Sequence, residues 1–164
     1  MPNETRSDFA ELGVPAPLVA SLAARGVDAP FPIQTKTLPD TLAGRDVLGR
    51  GKTGSGKTLA FALPLVARLS GVRRTPNRPT GLVLAPTREL ATQITATVAP
   101  LAEATGLTVT TIFGGVAQSR QVSALRAGAD IVVACPGRLE DLMRQNLISL
   151  DAVRVTVKIG RAHV

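Results

Sequence analysis

The stretch that most constrains this chain is Gly51-Lys52-Thr53-Gly54-Ser55-Gly56-Lys57-Thr58, which fits the pattern G-x-x-x-x-G-K-[ST]. Gly51, Gly54 and Gly56 keep side chains off the backbone and permit positive φ. Successive N–H groups can then face one point and form an anion nest. In this pattern the lysine, Lys57, reaches the β- and γ-phosphates of a triphosphate, and the hydroxyl of Thr58 ligates Mg²⁺. The flanks agree with that reading. Arg45 to Gly49 is a short strand-like run, and Lys57 to Leu69 reads as a buried helix whose positive N-terminus faces the same anion. Candidate nucleotide contacts are Gly51, Thr53, Gly54, Ser55, Gly56, Lys57 and Thr58. Lys57 and Thr58 are the candidate catalytic residues, and Thr58 is the candidate Mg²⁺ ligand. The competing explanation is a glycine-rich turn with no ligand, and the strand before and helix after count against it.

Composition narrows the partners. A length of 164 residues suits one domain with a real core, and 45% apolar content marks a globular chain. The longest apolar run, Leu59 to Ala67, is interrupted by Pro64 and is far short of a membrane span. The N-terminus lacks a basic-plus-apolar leader pattern. One cysteine, Cys135, cannot form an internal disulfide and suits a reducing cytoplasm, the expected location. The formal charge is +7, mostly from arginine, which favours a polyanionic partner. There is no Trp or Tyr, and Phe9, Phe31, Phe61 and Phe113 are the whole aromatic set. A chain so poor in aromatics can hardly grip single strands by base stacking. A nucleic acid would be held by its phosphate–sugar backbone, with little regard for sequence.

Apolar periodicity divides the remainder into alternating elements. Two helices are expected around Phe9–Leu12 and Leu18–Ala23, with Gly26 as a stop. A helix follows over Pro32 to Leu42, with an irregularity expected at Pro39. Ser70 to Pro79 reads as a basic, solvated connector. Strands are expected over Thr80–Ala85, Thr108–Phe113, Asp130–Ala134 and Val153–Val157. Helices are expected over Arg88–Thr105, kinked at Pro100, over Ala117–Ala127 and over Pro136–Gln145. This alternation argues an α/β fold with a parallel sheet covered on both faces. Ligands of such sheets sit at the carboxyl ends of the strands. The phosphate loop, Pro86-Thr87-Arg88-Glu89-Leu90, Phe113-Gly114-Gly115 and Cys135-Pro136-Gly137-Arg138 should therefore gather on one edge.

With those segments in order, the chain resembles the DEAD-box ATP-dependent RNA helicases of superfamily 2, over about Phe9 to Val157. The motifs are GVDAPFPIQ (Gly26–Gln34) with Phe9 isolated upstream, GKTGSGKT, PTRELA (Pro86–Ala91), the Gly114-Gly115 pair, and CPGR in place of TPGR. The resemblance implies a RecA-like P-loop NTPase domain that binds ATP–Mg²⁺ and the RNA backbone. It implies that Gln34 reads the adenine edge and Phe9 packs on the adenine ring. An amide suits adenine, since it donates and accepts at once. It also implies RNA contacts from Pro86, Thr87, Arg88, Gly114, Gly115, Gly137 and Arg138. Glu89 reads as structural. Residue by residue, blander roles stay open: Gln34 and Arg88 as surface helical residues, Gly115 as a plain turn.

The chain departs from the family pattern. Phe31 stands where a hydroxyl is usual, Val27 where an aromatic is usual, and Cys135 where a threonine is usual. No Asp-Glu-Ala-Asp follows Val157, and neither the SAT motif nor a second RecA-like domain is present. Ile159 to Val164 reads as translated sequencing-adapter DNA, with Lys158 at the junction, so His163 carries no catalytic role. The expected organisation is a Q-motif region over 1–44, a partial RecA-like domain over 45–157 and a non-native tail over 158–164. Lacking the acidic motif and the strand that leads to SAT, this polypeptide is expected neither to hydrolyse ATP nor to fold well alone. The competing functions are a DNA helicase, another P-loop ATPase, or a non-catalytic nucleotide-binding fragment. Oligomeric state is left open.

Overall fold

The computed structural model describes residues 8–27, 29–30, 32–44 and 57–160. The phosphate-loop residues Gly51–Gly56, the expected strand Asp46–Gly49, Phe31 and residues 161–164 lie outside them. The chain forms two compact units, Met1–Arg68 and Leu69–Val164.

The first unit is helical: α1 (Asp8–Glu11), α2 (Ala16–Ala24), α3 (Pro32–Leu42) and α4 (Lys57–Leu69). Leu18 and Leu22, one turn apart on α2, are buried, as are Phe9 and Val14. The stop expected at Gly26 is a Schellman turn. Gly26 takes φ 77, its N–H donates to the Ala23 carbonyl, and the Val27 N–H donates to the Leu22 carbonyl at 2.9 Å. On α4, residues 62–66 are buried without a break, as in a helix enclosed all round. The irregularity expected at Pro39 does not interrupt α3, and α4 likewise runs on through Pro64. Each proline removes one intrahelical bond, and burial of the flanking Leu38, Leu63 and Leu65 outweighs that loss.

The second unit is an α/β layer structure. Its strands are β1 (Gly81–Leu84), β2 (Val109–Ile112), β3 (Ile131–Ala134) and β4 (Val155–Lys158). All pairings are parallel, in the order β2-β3-β1-β4. Between them run α5 (Arg88–Ala104), α6 (Ser119–Ala127) and α7 (Pro136–Arg144). The chain steps from β1 to β2 in one direction along the sheet, then from β2 to β3 and from β3 to β4 in the other. Right-handed crossovers then require α5 on one face and α6 and α7 on the opposite one. Contacts agree. Leu82, Val132 and Ile112 on one face share a core with Leu125 of α6 and Leu139 and Leu142 of α7. On the other face, Thr95 of α5 meets Thr111 of β2, oxygen to oxygen, at 2.7 Å. Pro100 does not end α5. The central strand β3 is buried at every residue, while β2 and β4 alternate or half-emerge.

The connector Ser70–Pro79 is largely exposed, as its composition suggests, but it is anchored through Arg74. Arg74 donates to the Asp130 carboxylate through Nε at 3.1 Å and Nη2 at 2.9 Å, and also to the Gly106 carbonyl. The same carboxylate oxygen accepts from the Thr108 N–H at 2.8 Å and from the Thr108 hydroxyl. The Asp130 carbonyl accepts from the N–H groups of Thr80 and Gly81. Asp130 is 3% exposed. One buried acid thus ties the amino ends of β1, β2 and β3 to the connector. Gly128 makes room for this: it takes φ +95, and a Cβ there would lie 2.6 Å from Cδ of Arg74.

Candidate functional site

Because the strands are parallel, the loops that leave β1, β2 and β3 all emerge on one edge of the second unit. The reversal of direction lies between adjacent β1 and β3, where helices depart to opposite faces. That is the crevice in which ligands of α/β sheets settle. Its two banks are Pro86-Thr87-Arg88 and Cys135-Pro136-Gly137-Arg138. They are pinned to the sheet by Ala85 N–H donating to the Ala134 carbonyl and Cys135 N–H donating to the Ile112 carbonyl, each at 2.8 Å.

Thr87 is the N-cap of α5: extended in backbone, it accepts from the Leu90 N–H at 3.2 Å. That contact uses one lone pair and leaves its O–H hydrogen to donate outward. Arg88 is exposed, and its guanidinium carbon lies 4.7 Å above the centre of the Phe113 ring. Such a stack fixes a cation without consuming its N–H donors. Gly115 completes the seat with φ +81, and a Cβ there would come within 3.3 Å of Arg88 Nη1. Gly114 and Gly137 face open space, since a Cβ at either position would meet nothing within 4 Å. Arg138, on the first turn of α7, donates from Nη2 to the Val116 carbonyl at 2.8 Å and from Nη1 to Gln121 Oε1 at 3.3 Å. Gln121 in turn donates from Nε2 to the Phe113 carbonyl at 2.9 Å. Among the described residues the one ion pair is Arg74–Asp130. Neither Arg88 nor Arg138 is therefore neutralised by a described carboxylate.

The pattern reading placed Pro86, Thr87, Arg88, Gly114, Gly115, Gly137 and Arg138 on this edge, and the structure brings them there together. It overlooked Phe113 as a platform, and it overlooked Gln121 altogether. A glutamine inside a helical run carries no signal of burial, whereas Gln121 is only 7% exposed. Glu89, exposed on the first turn of α5, suits that helix end. Partial burial pushes the Cys135 thiol up, and the Glu89 carboxylate adds to the rise. Cys135 occupies the N-cap of α7 without making a side-chain capping bond.

In the first unit Lys57 and Thr58 are the first two residues of α4, Lys57 exposed and Thr58 half-buried. No acidic residue stands in that first turn to compete for the lysine or repel an anion. Gln34 is the third residue of α3 and is fully buried, as is Phe9 on α1. The remaining phosphate-loop candidates, Gly51, Thr53, Gly54, Ser55 and Gly56, lie outside the described residues.

Comparison with known proteins agrees with this geometry. The model of the DEAD/DEAH box helicase family matches residues 31–158. The ATP-dependent RNA helicase RhlB of Sodalis glossinidius is 42% identical over 157 residues, covering 93% of this chain and 38% of that protein. RhlB of Shigella dysenteriae is 42% identical, covering 93% of this chain and 37% of that protein. Among solved structures, the RNA helicase Prp28 from Chaetomium thermophilum bound to ADP superimposes with a TM-score of 0.85 at 40% identity, over 96% of this chain and 39% of that one. The chain thus spans under two fifths of the length of these relatives. Its four-stranded parallel sheet is RecA-like, and the chain belongs to the DEAD/DEAH box helicase family.

Proposed function

We propose that the chain carries the part of an ATP-dependent RNA helicase that binds ATP–Mg²⁺ and holds the RNA backbone. The observation that carries this reading is the carboxyl edge of the sheet. Two arginines, Arg88 and Arg138, stand there with no described carboxylate paired to them, each held by its own neighbours and flanked by glycines that leave the backbone open. Phosphate is the ligand for such a surface: guanidinium N–H groups, helix N-termini and bare backbone all donate, and a backbone phosphate accepts them whatever the base. Thr87 and the N-termini of α5 and α7 add donors to the same line of contacts.

In this reading residues 1–44 serve the adenine and residues 45–157 serve the phosphates and the RNA. Lys57 stabilises charge on the β- and γ-phosphates, and Thr58 holds Mg²⁺. A Mg²⁺ held there would supply positive charge against that of the phosphates. Gln34 selects adenine through a paired donor and acceptor. The relatives' names support the RNA substrate, and the ADP in the Prp28 structure supports the nucleotide. A cytoplasmic location follows from the same reading. No helix among the described residues is long and apolar enough to cross a membrane.

The test is RNA binding by the chain across a salt series. Arg88→Ala and Arg138→Ala should each weaken binding to unrelated RNA sequences alike, and each should lower the slope of log affinity on log salt by about 0.7–1. A loss that depended on base identity, or tighter binding to DNA of the same sequence, would count against the proposal. For the nucleotide, binding should favour ATP over GTP, and Gln34→Ala should erode that preference by about 1–3 kcal/mol.

A further inference from the structure

We propose that Gln121 is a positioning residue that sets both phosphate-facing arginines at once; this rests on the reading of Arg88 and Arg138 given above. Its side chain amide lies almost wholly out of solvent, where an unpaired polar group is costly, yet both of its ends are paired. Nε2 holds the Phe113 carbonyl at 2.9 Å, and Oε1 receives Nη1 of Arg138 at 3.3 Å. Arg138 closes the circuit by donating to the Val116 carbonyl in the same loop. The loop after β2 and the first turn of α7 are therefore stitched together through one amide and one guanidinium. The Phe113 ring, whose own carbonyl is pinned by Gln121, is the platform under Arg88.

The side-chain chemistry is demanding. The site needs a donor toward a carbonyl and an acceptor toward a guanidinium from one neutral group. Glutamate lacks the donor, lysine and arginine lack the acceptor, and an apolar residue would fill the space and hold neither arginine. Arg138 spends two N–H groups on Gln121 and Val116 and keeps three for a phosphate. The bridge thus orients the guanidinium without exhausting it.

The experiment is a double-mutant cycle on the 164-residue chain, read by fluorescence anisotropy with a labelled oligouridylate at low salt, with thermal unfolding of each variant alongside. Gln121→Met should weaken binding about tenfold. In an Arg138→Ala background the same substitution should lose only the part that acts through Phe113 and Arg88, so the two losses together fall short of their sum. Full additivity of the two losses would overturn the positioning role while leaving the phosphate contacts standing. If Arg88→Ala and Arg138→Ala leave RNA binding unchanged, the functional reading and this proposal fall together. Should Gln121→Met fail to fold, the isosteric Gln121→Glu takes its place. It keeps an acceptor for Arg138, now as an ion pair, and turns an oxygen on the Phe113 carbonyl, so its effect should couple both to Arg138→Ala and to Arg88→Ala. Coupling to neither would overturn the proposal.

Discussion

Cys135 shows how much a single position can change at this edge. It caps α7 with a thiol that accepts nothing, where a hydroxyl would accept an N–H of the first turn. Cys135→Thr should therefore raise stability by about 1 kcal/mol, read as a higher thermal midpoint. Its titration is also informative. Burial is the larger cause of the raised thiol pKa and Glu89 the smaller. Alkylation by iodoacetamide should consequently need a higher pH than for a free thiol, since the thiolate is the nucleophile. Glu89→Gln should move that profile part of the way back down and no further. Because the folded form holds its proton more tightly than the unfolded form, this group lowers stability as pH climbs above the ordinary thiol range, and contributes no pH dependence below it. At this scale the sequence was readable where a residue's type announces its place, as with arginine after a strand or threonine before a helix. Gln121 and Phe113 announce nothing. Their roles depend on burial and on neighbours in other segments.

At the scale of elements, periodicity located α5, α6, α7 and the four described strands to within about two residues. The misses have physical causes. The expected start of α6 at Ala117 moves to Ser119 because the loop after Gly115 is held out by Arg138 on the Val116 carbonyl, and the Gln118 amide pairs with Gln145 instead of capping. The connector's composition foretold its exposure but not its anchor, because the buried carboxylate that captures Arg74 stands 56 residues away. Asp130→Ala should cost about 3 kcal/mol, seen as a shifted denaturant midpoint, since it strips partners from Arg74 and from the Thr108 N–H together. Arg74→Ala should cost less, because that side chain is 40% exposed and water can replace part of its bonding. The two substitutions should be strongly non-additive.

For the whole molecule, alternation of strands and helices was enough to anticipate a parallel sheet covered on both faces, and the order β2-β3-β1-β4 supplies what alternation cannot. Strand order depends on which apolar faces meet, a long-range matter that no local pattern encodes. The edge where the loops after β1, β2 and β3 gather was nonetheless foreseeable, because parallel strands send every following loop to the same side. A corollary concerns the opposite edge. Substitutions at Arg73, Arg78 and Arg154 should leave the salt slope of RNA binding within about 0.3 of the parent, against about 0.7–1 for Arg88 or Arg138. Anisotropy over the same salt series separates the two groups.

The tie made by Asp130 sits at the amino ends of strands only four residues long, while the arginines stand beyond their carboxyl ends. Strand and loop together put some 10–15 Å between the fastening and the working surface. On the proposed function, robustness and recognition are thereby housed at opposite poles of one sheet. Variation that hardens or softens the fastening can accumulate in a lineage without touching the grip on a polyanion. Loop changes that retune the grip likewise need not loosen the fastening. An engineer seeking a hardier version would work at the first pole; one seeking a different nucleic-acid preference would work at the second.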